Sequence, residues 1–406
     1  MGVALMAGAS VVVLGVGCSD KGAVAPEEGS DKTAAVQGQE KKGLPVFEVD
    51  YKFPQMPEGV MLGAVGGAAP DSHGNVWVHQ RPHTIPEYNA ALNGYKAAPP
   101  VIEFDPSGKY LQGFGGPAPN GEYEWFYRES DLRSAYAPCA GCGTGVRGNG
   151  DHRAANGEHG IFVDHLDNVW LTGNGGKDGQ ILKFSNTGKF LMQIGKAIPD
   201  GSVNSADTTH VARAAAVAVN PTTNELYVAD GYGNRRIIVF DAATGAYKRH
   251  WGAYGNKPDD TPKPQRILAG PGNPQFNTVH GIAIAKDGTL YVADRANNRI
   301  QEFTPEGKFL REAYNQRDSA GTGSAFGVAI SPDQRWLYVA DSSHERVAIM
   351  DRQTLQVVGA VGRPGAYTGE FTNLHSLAID AQGNLITGES QGYRVQKFLY
   401  KGLSGQ

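Results

Sequence analysis

Histidines 159, 280 and 375 each open a short apolar run: His159-Gly-Ile-Phe-Val, His280-Gly-Ile-Ala-Ile and His375-Ser-Leu-Ala-Ile. Three imidazoles brought together bind zinc or a similar divalent metal and leave one tetrahedral position open, as catalytic sites require. Such a metal polarises an oxygen ligand and lowers its pKa. Arg81 and Arg295 could clamp a carboxylate with paired hydrogen bonds. Tyr232, beside such cations, is a candidate base. A histidine at the start of an inner strand is also a tolerated rim residue in repeat proteins. What favours a site is the coincidence of three with arginine and tyrosine. These residues lie far apart in the chain, so the fold must gather them.

A repeat supplies that fold. His280 to Asp294 (HGIAIAKDGTLYVAD) runs into Asn298-Arg-Ile-Gln-Glu-Phe303 and then Pro305 to Leu310. The same order recurs from Ala214 through Tyr227-Val-Ala-Asp230 and Arg236 to Phe240. It returns from Phe326 through Tyr338-Val-Ala-Asp341 and Arg346 to Ile349, and from His375 through Arg394 to Phe398. Degenerate copies cover Asp71 to Phe114 and His159 to Ile194, which makes six units. Each reads as four short strands joined by Asp-Gly or Gly-Asn turns. One such sheet cannot bury both faces, whereas six stacked around an axis can, so a six-bladed β-propeller is predicted. The last unit runs out of chain after its third strand. The alternating segment Val46 to Phe53 is expected to supply the fourth and close the ring.

Composition agrees. Glycine fills 55 of 406 positions, roughly twice the usual share, and only 19% of residues are charged. Coiled coils and large helical bundles are excluded by the helix breakers, and collagen by the lack of a strict glycine period. Wholesale disorder is excluded by the abundant aromatic and β-branched residues. A net charge of −4 leaves no electrostatic footprint for nucleic acid.

Within the repeat, shared residues read as architectural: Asp230, Asp294 and Asp341, with Arg236, Arg299, Arg346 and Arg394. Strand polarity places the others. An inner strand leaves its starting face and the second strand returns to it. Residues just after second strands, Arg81, Tyr232 and Arg295, therefore share a face with the three histidines. The inter-blade connections at about 117–158, 196–213 and 253–279 should rim the same opening, so all six residues are expected around one axial pit.

The ends carry a different message. Val3 to Val16 is apolar, too short for a bilayer-spanning helix, and fits the core of a signal peptide. With Cys18 directly behind it, the segment resembles the lipobox of bacterial lipoproteins, which implies lipidation at Cys18. A cleaved secretory signal and a plain membrane anchor are the alternatives. Residues 1–18 are thus read as a signal, 19–43 as a flexible tether, and 44–406 as the propeller, with an insertion at about 117–158. The expected setting is the cell envelope, outside the cytoplasm, with the protein a monomer held to the membrane by its lipid. Export makes Cys139 and Cys142, spaced C-x-x-C, a candidate disulfide. Haem attachment would need histidine where Gly143 stands, and zinc with His152 would need further ligands.

The Tyr-Val-Ala-Asp and Asn-x-Arg-Ile signatures resemble the NHL family of six-bladed propellers, over roughly residues 44–402. More narrowly, Asp230-Gly-Tyr232-Gly-Asn-Arg-Arg-Ile, Trp251-Gly252, and His280 ahead of Ala293-Asp-Arg295-Ala-Asn-Asn-Arg-Ile are similar to the peptidyl-α-hydroxyglycine α-amidating lyases. Val76 to Arg81 and Pro100 to Asp105 follow that family's first blade. The resemblance implies zinc on His159, His280 and His375, Tyr232 as the base, and Arg81 and Arg295 on the carboxylate and developing charge. It implies cleavage of a carbinolamide C–N bond to an amide and glyoxylate, with a peptide or small molecule as substrate. Departures are Ser376, where the animal enzymes place an aspartate that helps bind calcium, together with Gly233, Tyr291 and Asn373. A structural calcium therefore does not carry over intact, although Ile161 could still offer a carbonyl. The sequence has no counterpart of the copper monooxygenase that supplies the hydroxyglycine in animals, so a different carbinolamide is open. Two further readings stand beside the lyase. One is a non-catalytic propeller binding a protein or glycan through aromatics such as Trp125, Phe126 and Tyr127. The other is a metal-dependent lactonase or esterase.

Overall fold

The computed structural model describes residues 43–85, 94–126, 157–198, 204–261 and 266–405. Six four-stranded antiparallel sheets follow one another along the chain. Their inner strands are Ala64–Pro70, Glu158–Val163, Ala216–Asn220, Val279–Ile284, Val328–Ile330 and Leu374–Ile379. Each inner strand touches the next, and the sixth touches the first, so the sheets form a closed six-bladed propeller. A short parallel pair, Val60–Met61 with Lys96–Ala97, lies outside the blades.

Burial follows distance from the axis. The second strands, such as Glu225–Asp230 and Trp336–Asp341, are buried along their whole length. Packed on both faces, they read as unbroken apolar runs rather than alternating ones. Outer strands such as Val357–Val361 have one edge in solvent and contain no fully buried residue. Between neighbouring blades the side chains form continuous cores. Tyr227, Ile237 and Trp251 of blade three, for example, meet Val279, Leu290 and Phe303 of blade four.

The ring closes as the sequence predicts, over a shorter stretch. Pro45–Val49 pairs antiparallel with Arg394–Leu403, completing blade six with Val49 opposite Phe398. Residues 50–53 leave the strand, and Phe53 turns into the core between blades one and six.

The repeated acid–arginine pairs are architectural. Asp230 and Arg236, Asp294 and Arg299, Asp341 and Arg346, and Glu389 and Arg394 are cross-strand partners at one end of each blade. Their ion-pair distances are 2.9, 2.8, 3.2 and 2.6 Å. The guanidinium also reaches the connection crossing above it: Arg236 donates to the carbonyl of His210, and Arg299 to that of Asn273. Arg394 likewise reaches the carbonyl of Glu370, so three of the four pairs lock a hairpin end to the loop that enters its blade.

Among the described residues no helix is long and apolar enough to cross a membrane. Cys18, Cys139, Cys142 and Tyr127 lie outside the described residues, as does most of the 117–158 insertion.

Candidate metal centre

His280 and His375 are extra residues at β-bulges. Val279 pairs with Asp294 and Gly281 with Ala293, leaving His280 between them. Likewise Leu374 pairs with Glu389 and Ser376 with Gly388. In blade two the register slips between Glu158 and Ile161, around His159. A bulge bends the strand and re-aims a side chain, here toward the axis. All three imidazoles are at least 95% buried, with ring centres 4.7 to 4.9 Å apart.

The blades between them complete the ring. Nδ1 of His159 lies 2.8 Å from the carbonyl of Ala215, that of His280 2.8 Å from Phe326, and that of His375 2.8 Å from Gly66. These carbonyls belong to blades three, five and one, at the position equivalent to the histidine. A carbonyl only accepts, so each Nδ1 carries the proton and each Nε2 presents a lone pair. The fit is tight: a Cβ on Gly66 would come within 2.4 Å of the His159 carbonyl oxygen.

Tyr232 sits over this ring. Its Oη is 3.0 Å from Nε2 of His159, 3.0 Å from Nε2 of His280, and 3.1 Å from Nη1 of Arg295. Gly231 permits this approach, since a Cβ there would lie 1.9 Å from the Val279 carbonyl oxygen. The phenol has one proton to offer two lone pairs, so one contact sets lone pair against lone pair. Protonation of the imidazoles is a poor remedy. Burial, the neighbouring histidines and the Arg81 charge hold His159 well below the usual histidine range. Burial, His375 and the arginines do the same for His280, and burial with Arg81 and Arg295 takes His375 down to about 3. Neutral imidazoles with converging lone pairs and Nδ1 protons fixed outward are what a divalent metal requires. One ligand atom from each lies within 4.8 Å of the other two.

The arginines approach differently. Arg81 ends the strand Val76–Arg81 and is 3% exposed. It donates from Nε to the Glu158 carbonyl at 2.6 Å, and burial lowers its pKa. Arg295 follows the strand Leu290–Asp294 and stacks 4.1 Å from the Phe326 ring centre. The carboxylate of Glu158 is buried behind Arg81. It accepts from Trp125 Nε1 at 2.8 Å and lies 3.5 Å from His83 Nδ1.

Two expectations change. The expected single pit is divided by the histidine ring. A cavity of about 450 Å3 runs along the inner strands from the histidines toward the opposite face. It is lined by small and apolar residues such as Val217, Ile284 and Val328, and not by Tyr232, Arg81 or Arg295. Polarity explains this, because inner strands lead away from the face to which second strands return. Nor do Trp125 and Phe126 offer an aromatic docking face. Phe126 is buried, and both pack inward against His79. Sequence reasoning missed Glu158 and Arg213. Glu158 adjoins His159. Arg213 stands two residues before Ala215, which takes the histidine position in blade three, and that offset could have flagged it.

The described residues thus define a six-bladed β-propeller with a three-histidine centre on its axis. The NHL repeat family model matches residues 276–303. By sequence the chain is similar to the amidating enzymes. It is 33% identical over 249 residues to the peptidyl-glycine alpha-amidating monooxygenase of Mus musculus, covering 59% of this chain and 23% of that protein. It is 28% identical over 238 residues to peptidyl-alpha-hydroxyglycine alpha-amidating lyase 2 of Drosophila melanogaster, covering 56% and 50%. The chain thus spans under a quarter of the first relative and half of the second. Among solved structures a streptogramin B lyase shares the fold, with a TM-score of 0.50 at 13% identity, covering 87% of this chain and 98% of that one.

Proposed function

We propose that this protein is a zinc-dependent lyase that breaks the C–N bond of a carbinolamide, giving an amide and glyoxylate. The observation that carries this reading is the meeting of two imidazole Nε2 atoms and the Arg295 guanidinium at the phenol oxygen of Tyr232. The similarity to relatives named as amidating lyases supports it.

His159, His280 and His375 would hold the metal, which when bound supplies Lewis-acid polarisation of a hydroxyl oxygen. Arg81 and Arg295 bind the substrate carboxylate and orient the carbinol carbon beneath Tyr232. In its phenolate form Tyr232 Oη takes the hydroxyl proton, becoming the phenol, while Arg295 donates a hydrogen bond to the same oxygen. The electron pair left behind forms the aldehyde C=O as the C–N bond breaks. Tyr232 returns the proton to the departing amide nitrogen, so that R–CO–NH–CH(OH)–COO⁻ becomes R–CO–NH2 and OHC–COO⁻ with nothing else consumed. In the same proposal the enzyme works as a monomer at the cell envelope, anchored by a lipid on Cys18.

The test is release of glyoxylate from a peptidyl-α-hydroxyglycine, together with metal analysis of the purified protein. Stoichiometric zinc and glyoxylate release, both lost in His280→Ala, are expected. Protein that is folded, metal-free and inactive would sink the proposal.

A further inference from the structure

The mouth of the site holds a third guanidinium. Arg213 lies 5.7 Å from the Tyr232 ring centre, and Arg295 lies 5.8 Å from the same ring. The Arg213 backbone is in the left-handed region, φ 61°, as are Thr278 and Asn373 at the equivalent positions of blades four and six, so the repeat itself sets this turn. The residue is pinned there. Its backbone N–H donates to the Asp178 carbonyl at 2.7 Å, and its Nε donates to the Asn174 carbonyl at 2.9 Å. Asn174 is itself held by Gly157, which donates to Asn174 Oδ1 at 3.0 Å.

Charge separates Arg213 from the architectural arginines. Arg236, Arg299, Arg346 and Arg394 each pair with a carboxylate. Among the described residues, Arg81, Arg213 and Arg295 have no carboxylate within ion-pair distance. Among the described residues Arg213 hydrogen-bonds through Nε alone, which leaves Nη1 and Nη2 for a ligand. Arg81 and Arg295 already outnumber the single charge of an α-hydroxy carboxylate, so a third fixed cation is surplus to the charge of a monoanionic substrate.

We infer that Arg213 is a specificity residue that binds a second anionic group, a carboxylate on the acyl portion of the carbinolamide. The substrate is then a dianion, with its α-hydroxy carboxylate at Arg81 and Arg295 and its acyl carboxylate at Arg213. The inference rests on the carbinolamide reading for the placement of the first carboxylate.

Two pairs of compounds test it on the metal-loaded protein. N-succinylglycine and N-butanoylglycine differ by the distal carboxylate and are inert to the lyase reaction, so calorimetry reads their binding alone. Wild type should prefer the succinyl compound by about ten-fold or more, as a charge-assisted hydrogen-bonded pair provides. Arg213→Gln should abolish that preference without weakening the butanoyl compound, and Arg213→Lys should restore part of it. Equal affinities in wild type, or equal weakening of both compounds in Arg213→Gln, would overturn the inference and leave Arg213 as packing for Tyr232. The corresponding N-acyl-α-hydroxyglycines then separate the two proposals. A succinyl preference in binding without glyoxylate release from either would refute the lyase reading and retain the anion site. Equal release from both with no binding preference would do the reverse.

Discussion

Replacing Tyr232 with phenylalanine removes one oxygen and leaves the rest of the centre in place. That oxygen holds three contacts, two at 3.0 Å to imidazole Nε2 atoms and one at 3.1 Å to Arg295. One of the imidazole contacts opposes lone pairs, so the folded protein loses little. The expected cost in stability is about 1 kcal/mol, the net worth of a typical hydrogen bond. The three histidines are untouched, each still fixed through Nδ1 to a backbone carbonyl, so metal content should be unchanged. Activity behaves differently. If Tyr232 carries the proton from the hydroxyl to the leaving nitrogen, its removal should lower kcat by about 10²- to 10⁴-fold, the usual span for a positioned acid–base group. KM should change little, because Arg81 and Arg295 still hold the carboxylate. The assay is steady-state glyoxylate release over a range of substrate concentrations, with metal content measured on the same preparations. Unchanged kcat in fully loaded Tyr232→Phe would refute the proton-carrier role. A fall in kcat matched by loss of metal would instead make Tyr232 a support of the centre.

Three other outcomes follow from the geometry. Chelation should lower the thermal midpoint of wild type and not that of His280→Ala, because a metal that binds only the folded state stabilises it by about 3 kcal/mol at a hundred times its Kd. In the metal-free protein the depressed histidines bind protons more readily when unfolded. Stability is therefore full above the ordinary histidine pKa, falls as pH drops below about 6.5, and continues to fall toward His375's value of about 3. Urea midpoints for apo wild type between pH 7 and pH 5 should show this slope, and His375→Gln should flatten it. Arg299 and Asp294 have fully buried side chains, so Arg299→Met should cost about 3–5 kcal/mol by stranding the carboxylate. Chemical denaturation measures that loss, and a change below 1 kcal/mol would show that the pair is not an architectural lock.

The propeller was legible because the blades share one order, an apolar inner strand, a tight turn and a buried second strand, and because four of them then carry an arginine that opens the third strand. Closure by the N-terminal segment followed from counting strands. Site membership was legible from what broke the repeat, since Arg81, Tyr232 and Arg295 all fall on the histidine face. Less visible was the device that aims the histidines. A bulge adds one residue to one strand, and no residue type marks it in His280-Gly-Ile or His375-Ser-Leu. The carbonyls of Gly66, Ala215 and Phe326 were invisible for a simpler reason, because a backbone acceptor leaves no trace in side-chain identity. Arg213 escaped because it belongs to a connection rather than to the repeat. The apolar channel escaped because strand polarity was applied to charged residues alone.

His375 in the last blade bonds to Gly66 in the first, so one ligand of the centre is anchored across the seam of the ring. Any opening of that seam, such as slippage of Pro45–Val49 from Arg394–Leu403, carries His375 away from its two companions. On the proposed lyase reading, activity then depends on a closed ring. On that reading, a chain whose circle has not shut should release no glyoxylate, rather than a reduced amount.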